Sequence, residues 1–303
     1  MSTTQGYGPI SQAFIQEYSS LVLLALQQKG SVLRNLVTEQ ALTGKGATML
    51  TRFNSTEAEQ VTGKYQPIVP EELQAMQRWV FPSAYDKNLM IDKFDEVKLI
   101  NDPTGQYVTS AAYAIGRAID RSIMSAFFGA AATGNNGSSP IAFPTSTNQI
   151  VVGTGASSAT GINVTKLLRA KELLANNYVD PDTPLMAIIT PTMERQLLQQ
   201  TQVISTEYTD RPVLDQGRVK SFLGIDFIVT PLANQIFIDS NGYYNMPVFT
   251  REAMGLGLWR ELNTYITQRA DLRLNPWQLS CSAFFGATRL DENQVMQIQC
   301  TTA

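Results

Sequence analysis

The side chains able to move protons, hold metals or attack carbon are scarce in this chain of 303 residues, which has no histidine at all. That removes Ser-His-Asp triads, Cys-His dyads, His-ligated zinc and haem held by a proximal histidine. Cys281 and Cys300 are the two cysteines, too few for a four-thiolate metal site or a disulfide framework. Free thiols are the default for a chain made in the cytosol, and spacing alone leaves a bond between the two open. Cys281 sits in the apolar strand pattern Leu279-Ser280-Cys281-Ser282-Ala283-Phe284, which reads as a buried thiol. Glu71-Glu72 and Asp95-Glu96 are adjacent acids, whose side chains diverge in strand or helix and read as solvated loop charge. Asp180-Pro181-Asp182 offers oxygen ligands without the spacing of a calcium loop, so it reads as a helix-to-strand turn. Gly153-Thr154-Gly155 lacks the continuation of a phosphate cradle, and no serine stands in a G-x-S-x-G elbow. Met186, Met193 and Met254 are core filler. No constellation points to catalysis, and no cofactor or metal is expected.

Composition narrows the reading further. With 23 Lys+Arg against 26 Asp+Glu the net charge is −3, without the basic excess of an autonomous nucleic-acid binder. Hydrophobic content of 44% fits a globular chain with a large core, while 16% charge is low for one. The longest aliphatic run, Leu21–Leu26, falls far short of the roughly 20 residues that span a bilayer, so no membrane segment is expected. The first 28 residues lack the basic residues of a secretory signal.

The elements that would position any site follow from periodicity. Ile10, Phe14, Tyr18, Leu21 and Ala25 recur at helical spacing, with Ser11 as cap and Gly30 as stop. Such a helix packs either on its own domain or, as an arm, on a neighbouring subunit. Residues 45–100 carry charges of both signs, with period-two patches at Thr48–Phe53 and Ile91–Phe94. They read as two strands of an extended hairpin around a protruding loop that gains order from contact with something else. From Gln106 to Ala132 a long helix is expected, with Val108, Ala111, Ile115, Ile119, Ile123 and Ala126 on one stripe and Arg117, Asp120 and Arg121 largely on another. A charge placed at Ala118 would then be buried. Gly134–Thr165 has no charged residue and reads as a long loop or flap with a short strand at Ile150–Val152. Next come a helix from Asn163 to Asn177, a buried strand at Leu185–Ile189, a helix opened by Thr190-Pro191, a polar loop over 201–217 and a strand over Phe222–Val229. Phe237-Ile238 and Tyr243-Tyr244 flank a hairpin turn. The remainder reads as strands at Val248–Thr250, Leu256–Trp259, Thr264–Leu274, Gln278–Thr288 and Val295–Cys300.

The order of these elements resembles the major capsid proteins of tailed bacteriophages, the Hong Kong 97-type shell fold, and within it the short-tailed phage branch. The residues that carry the resemblance are the run Leu168 to Val179, containing Asn176-Asn177-Tyr178-Val179, then Ile188-Ile189-Thr190-Pro191, then Val219 to Pro231. The segment Phe284–Val295 is similar to that family's closing hairpin.

The resemblance implies an α+β fold in five parts. These are an N-terminal arm with helix (1–44), an extended loop hairpin (45–100), a peripheral-domain spine helix and uncharged loop (101–162), an axial domain (163–245) and peripheral-domain strands (246–303). It implies a structural protein that self-assembles as pentamers and hexamers into an icosahedral shell around double-stranded DNA, which it contacts non-specifically. Scaffolding, portal or decoration proteins are further partners. The place of the protein would be the virion, after synthesis in the host cytoplasm. Candidate contacts between subunits are Arg52, Glu57, Glu59, Lys64, Glu71, Glu72 and Arg78 of the loop region, with Phe14 and Tyr18 of the arm. Lys64 would also be the side chain for an isopeptide bond between subunits. A near-neutral chain suits close packing of many copies. The alternatives are an encapsulin-like compartment, a hydrolase or transferase built on the α/β middle, and a tail or adhesin component.

Overall fold

The computed structural model describes residues 30–53, 75–91, 104–156, 158–200, 214–215 and 218–301, with isolated positions 28, 58, 60, 63, 64, 70 and 72. The elements are β1 (Thr38–Ala41), β2 (Ala47–Phe53), β3 (Ala75–Val80), β4 (Ser83–Ile91), α1 (Thr104–Phe128), β5 (Ala131–Thr133), β6 (Ser139–Ile141), α2 (Thr145–Asn148) and β7 (Gln149–Ile150). They continue with α3 (Val164–Asn176), β8 (Leu185–Ile189), α4 (Pro191–Leu198), β9 (Leu214–Asp215), β10 (Arg218–Val219), β11 (Ser221–Phe222) and β12 (Ile225–Val229). The last are α5 (Ala233–Ile236), β13 (Tyr243–Thr250), β14 (Met254–Gln268), β15 (Trp277–Arg289) and β16 (Val295–Thr301). The chain divides into two compact units, one of Met1–Val32, Ser83–Asp120 and Trp259–Phe285, the other of Leu33–Pro82, Arg121–Leu258 and Gly286–Ala303.

In the first unit β15 pairs antiparallel with β4, from Trp277 opposite Ile91 to Phe285 opposite Ser83. The Tyr85 and Phe285 rings stack diagonally across this pair at 4.4 Å. The first half of α1 covers the sheet: Ala111 packs with Leu279 and Cys281, and Tyr107, Val108 and Leu89 close the edge of that cluster. α1 runs for 25 residues, roughly 37 Å at about 1.5 Å per residue, and ends at Phe128 rather than Ala132. Asp120 departs from its expected place on a charged face. It is fully buried and accepts hydrogen bonds from Gln28 Nε2, Ser31 Oγ and the Val32 N–H. Gly116 lies one turn before Asp120, where a Cβ would stand 2.8 Å from Gly30 Cα and 2.6 Å from its carbonyl carbon. The close-packing position of α1 is therefore Gly116, while Ala118 is half-buried.

The second unit is built on a six-stranded mixed sheet in the order β11-β12-β8-β13-β16-β7. β8 is parallel to β12, and every residue of β8 is buried, as its uninterrupted Leu-Met-Ala-Ile-Ile sequence demands. β13 lies antiparallel to both β8 and β16. The boundary expected at 245/246 therefore falls inside β13, which ties the two segments into one sheet. α4 begins as its sequence signals, with the Thr190 side chain accepting from Met193 N and Pro191 at the first turn. The strand expected over Phe222–Val229 is instead a tight hairpin, because Leu223 and Gly224 both take positive φ, 56° and 77°. At the Phe237–Tyr244 hairpin only a single bridge, Ile238 to Tyr244, forms, because Ala233–Ile236 has already turned into α5.

α3 opens at Asn163, whose side chain accepts from Lys166 N and donates to Thr154 O at 3.0 Å. Lys166 is buried, and its ammonium donates to three carbonyls, Thr160 O, Gly161 O and Gln299 O, at 2.8, 2.9 and 2.9 Å. Burial pulls the pKa of Lys166 below its usual value and pushes the Cys300 thiol up to about 12. Both cysteines are free and buried. Asn163→Ala removes the cap and a bond to the preceding loop together. It is expected to lower stability by about 1–2 kcal/mol, read as a denaturant midpoint that falls at constant m-value.

Two corrections concern the middle of the chain. The uncharged stretch 134–165 is not a free flap: β6 joins the four-stranded sheet β2-β3-β5-β6, and β7 is an edge of the six-stranded sheet. The hairpin of the charged region is β2 with β3, from Ala47 opposite Val80 to Phe53 opposite Ala75. Ile91, expected to begin the second arm of that hairpin, ends β4 and pairs with β15, and Asp92–Phe94 lie outside the described residues.

Candidate assembly surfaces

A surface that binds copies of the same chain needs a rigid root and exposed side chains, and both are visible here. The root of the β2–β3 hairpin is a buried cluster of charge in the second unit. Arg289, 0% exposed, donates through Nη1 to Phe127 O at 2.7 Å and Gly129 O at 2.9 Å, and through Nη2 to Ile141 O at 3.3 Å. Its Nε reaches Glu292 Oε1 at 3.3 Å, and its guanidinium lies 5.3 Å from the centre of the Phe143 ring. The cation thereby satisfies carbonyls at the C-terminal end of α1, where the helix dipole favours it. Glu292 also pairs with Arg78 of β3, and Arg78 Nε donates to Leu290 O at 3.2 Å. One carboxylate thus joins the hairpin strand, the turn before β16 and the end of α1. Beside them Phe127, Phe249, Phe237, Phe128 and Phe143 form a chain of edge-to-face contacts.

Arg78 is buried, with Nε and Nη2 bonded to Leu290 O and Glu292 of its own chain and Nη1 without a hydrogen-bond partner among the described residues. Lys64 and Glu72 are exposed. Arg52 is a residue of β2 opposite Met76. Phe14, Tyr18, Glu57, Glu59 and Glu71, and with them the expected arm helix, lie outside the described residues.

Exposed apolar side chains mark surfaces that the sequence did not single out. β14 is one strand of 15 residues, where two had been expected, and in its first-unit part every residue from Arg260 to Gln268 is exposed. Leu262, Tyr265 and Ile266 stand on it, and Leu272 and Leu274 on the turn beyond. That turn is held by Arg269, which grips Asp271 with Nε and Nη2 at 2.7 and 2.6 Å and keeps the Asp271 pKa down at about 2. Leu274 and Asn275 both take positive φ, 68° and 46°, in the turn between β14 and β15. In the second unit Leu168 on α3 is half exposed, and Tyr178, just past its end, is 97% exposed at φ 61°. Period-two alternation announces a strand but not whether anything covers it, which is why Ile266 reads only as a strand residue in the sequence, while Leu262 falls between the two strands expected there.

Among the described residues no group of three or more His, Cys, Asp or Glu side chains gathers to hold a metal, and no helix is long and apolar enough to cross a membrane. A sequence profile described as phage capsid protein matches residues 10–302. The chain belongs to the phage capsid protein family. Solved structures with the same fold include the capsid of cyanophage P-SCSP1u, with a TM-score of 0.73 and 17% identity over 100% of this chain and 97% of that one. The capsid of cyanophage Pam1 follows it with a TM-score of 0.74 and 13% identity over 95% and 96%. That of Ralstonia phage GP4 gives 0.68 and 12% over 100% and 99%. A comparison with curated proteins gives no significant match. The capsid protein has the α+β fold of these phage capsid subunits. Its role is structural rather than enzymatic: it assembles with copies of itself into the shell of the virion.

Proposed function

We propose that this capsid protein is the major head subunit of a tailed phage, closing as pentamers and hexamers into an icosahedral shell around double-stranded DNA. The observation that supports this best is that the phage capsid protein profile spans residues 10–302 and that the fold of capsid subunits is matched over 100% of this chain. The β2–β3 hairpin is fixed at its base through Arg78 and Glu292, and residues 54–74, which join its two strands in sequence, contact a neighbouring subunit. Lys64, Glu71, Glu72, Glu57, Glu59 and Arg52 supply mixed charge for that contact, and Phe14 and Tyr18 of the arm supply apolar anchors. Residues 163–250 with β16 supply the axial part of each ring, and α1 with β14 and β15 the peripheral part. A net charge of −3 leaves DNA to non-specific contact, as a container requires. Scaffolding, portal and decoration proteins complete the particle, after synthesis of the chain in the host cytoplasm.

The expected result of expressing the chain is closed particles in negative-stain micrographs, eluting near the void volume of a sizing column. A stable monomer under every assembly condition overturns the proposal.

A further inference from the structure

We propose that the outer edge of β14 pairs antiparallel with the same edge of a second copy, about a twofold axis through Thr264. The inference rests on the shell reading and adds the chemistry of one of its contacts. Two main-chain hydrogen bonds fix which way the main chain of β14 points. Leu42 N donates to Leu258 O at 2.8 Å from the outer side, and Arg269 N donates to Pro276 O at 3.0 Å across the turn into β15. The N–H and C=O of one strand residue point to the same side, and successive residues alternate. Odd-numbered residues from Glu261 to Arg269 therefore face β15. The main-chain groups of Arg260, Leu262, Thr264, Ile266 and Gln268 face outward. The contact of Thr264 Oγ1 with Cys281 Sγ at 3.4 Å lies where this register puts it.

β1 fills the outer edge only as far as Ala41 opposite Leu258. Beyond that point no strand among the described residues pairs with it. A long exposed edge bearing Leu262, Tyr265 and Ile266, with no proline or lysine to blunt it, is a template for another strand. The sequence of the edge selects the occupant. Centred on Thr264, an antiparallel pair sets Leu262 against Ile266 of the second copy, and Ile266 against its Leu262. Thr264 then meets Thr264, Arg260 meets Gln268, and Asn263 meets Tyr265. Apolar meets apolar, and no like charges are opposed. A closed shell also requires contacts between its rings as well as within them, and an isologous pair supplies one.

The test is the double variant Leu262→Cys with Ile266→Cys, oxidised in purified particles. Directly opposed residues in a hydrogen-bonded antiparallel pair have Cα atoms about 5.5 Å apart, within disulfide reach. Both bonds then lie between the same two chains, so a non-reducing gel should show dimers for most chains and nothing larger. Each single variant places its thiols about 13 Å apart and should give under about a tenth as much dimer. Intact particles without dimers, or a ladder of higher multimers from contact with another segment, overturn the proposal. Wild-type particles give a second reading by amide exchange at Leu262, Thr264 and Ile266. Exchange at least about a hundredfold slower than in an unstructured peptide is expected, and peptide-like exchange overturns the pairing. If wild-type chain forms no particles, the shell reading itself fails, which separates the two failures.

Discussion

Replacing Arg289 with methionine should destabilise the subunit by about 3–5 kcal/mol, the range for breaking a buried ion pair from one side. Methionine fills similar volume, so the loss is polar rather than a cavity. Three main-chain carbonyls, Phe127 O, Gly129 O and Ile141 O, lose their donor in a site closed to water. Each unsatisfied group costs about 1–3 kcal/mol, and relaxation around Glu292, which keeps Arg78, recovers part of the sum. The end of α1 also loses the cation that opposes its dipole. The comparison is Arg169→Met on α3. Arg169 also makes an ion pair, with Glu172, but both side chains are about half exposed, and the change should stay within about 0.5 kcal/mol. Denaturant midpoints of both variants check this, and equal shifts would show that the Arg289 cluster carries no special weight.

Gly116→Ala should reverse the sign of an ordinary helix substitution. In an exposed helix interior, alanine is about 1 kcal/mol better than glycine. Here the new Cβ meets Gly30 and the Ser31 nitrogen at 2.6–2.8 Å, and the obstacles are backbone atoms that no rotamer change can clear. Either α1 or the 28–32 segment must move, and Asp120 one turn away then loses its bonds from Ser31 and Val32. A net loss of about 1–3 kcal/mol is expected, as for overpacked cores. Faster amide exchange at Val32, whose N–H donates to Asp120, would locate the damage. A stabilised protein with unchanged exchange would sink the argument.

The sequence makes some elements plain because their signals are local. Asn163 and Thr190 are caps whose side chains bond the next turn, and β8 is an unbroken apolar run. The long helix is legible from its stripe. What escaped depends on partners far away in the chain. Asp120 and Arg78 look like surface charge until Gln28, Ser31 and Glu292 are brought to them. The pairing of β2 with β3 rather than with residues near 91 depends on β15 having already claimed β4. Of the candidate contact residues, Arg78 is placed by burial, Arg52 by its pairing in β2, and Lys64 and Glu72 by exposure alone. The exposed edge of β14 was hidden for the opposite reason: a strand pattern is the same whether or not its neighbour belongs to another molecule.

Cys281 and Cys300 are each wholly buried, in β15 and β16. A phage shell persists in aerated surroundings, where exposed thiols oxidise and couple at random. Its chain carries two cysteines and offers neither to solvent. Ageing by disulfide scrambling between particles therefore has no starting point, and a cysteine engineered on the outside would be a single reactive handle per subunit for conjugation.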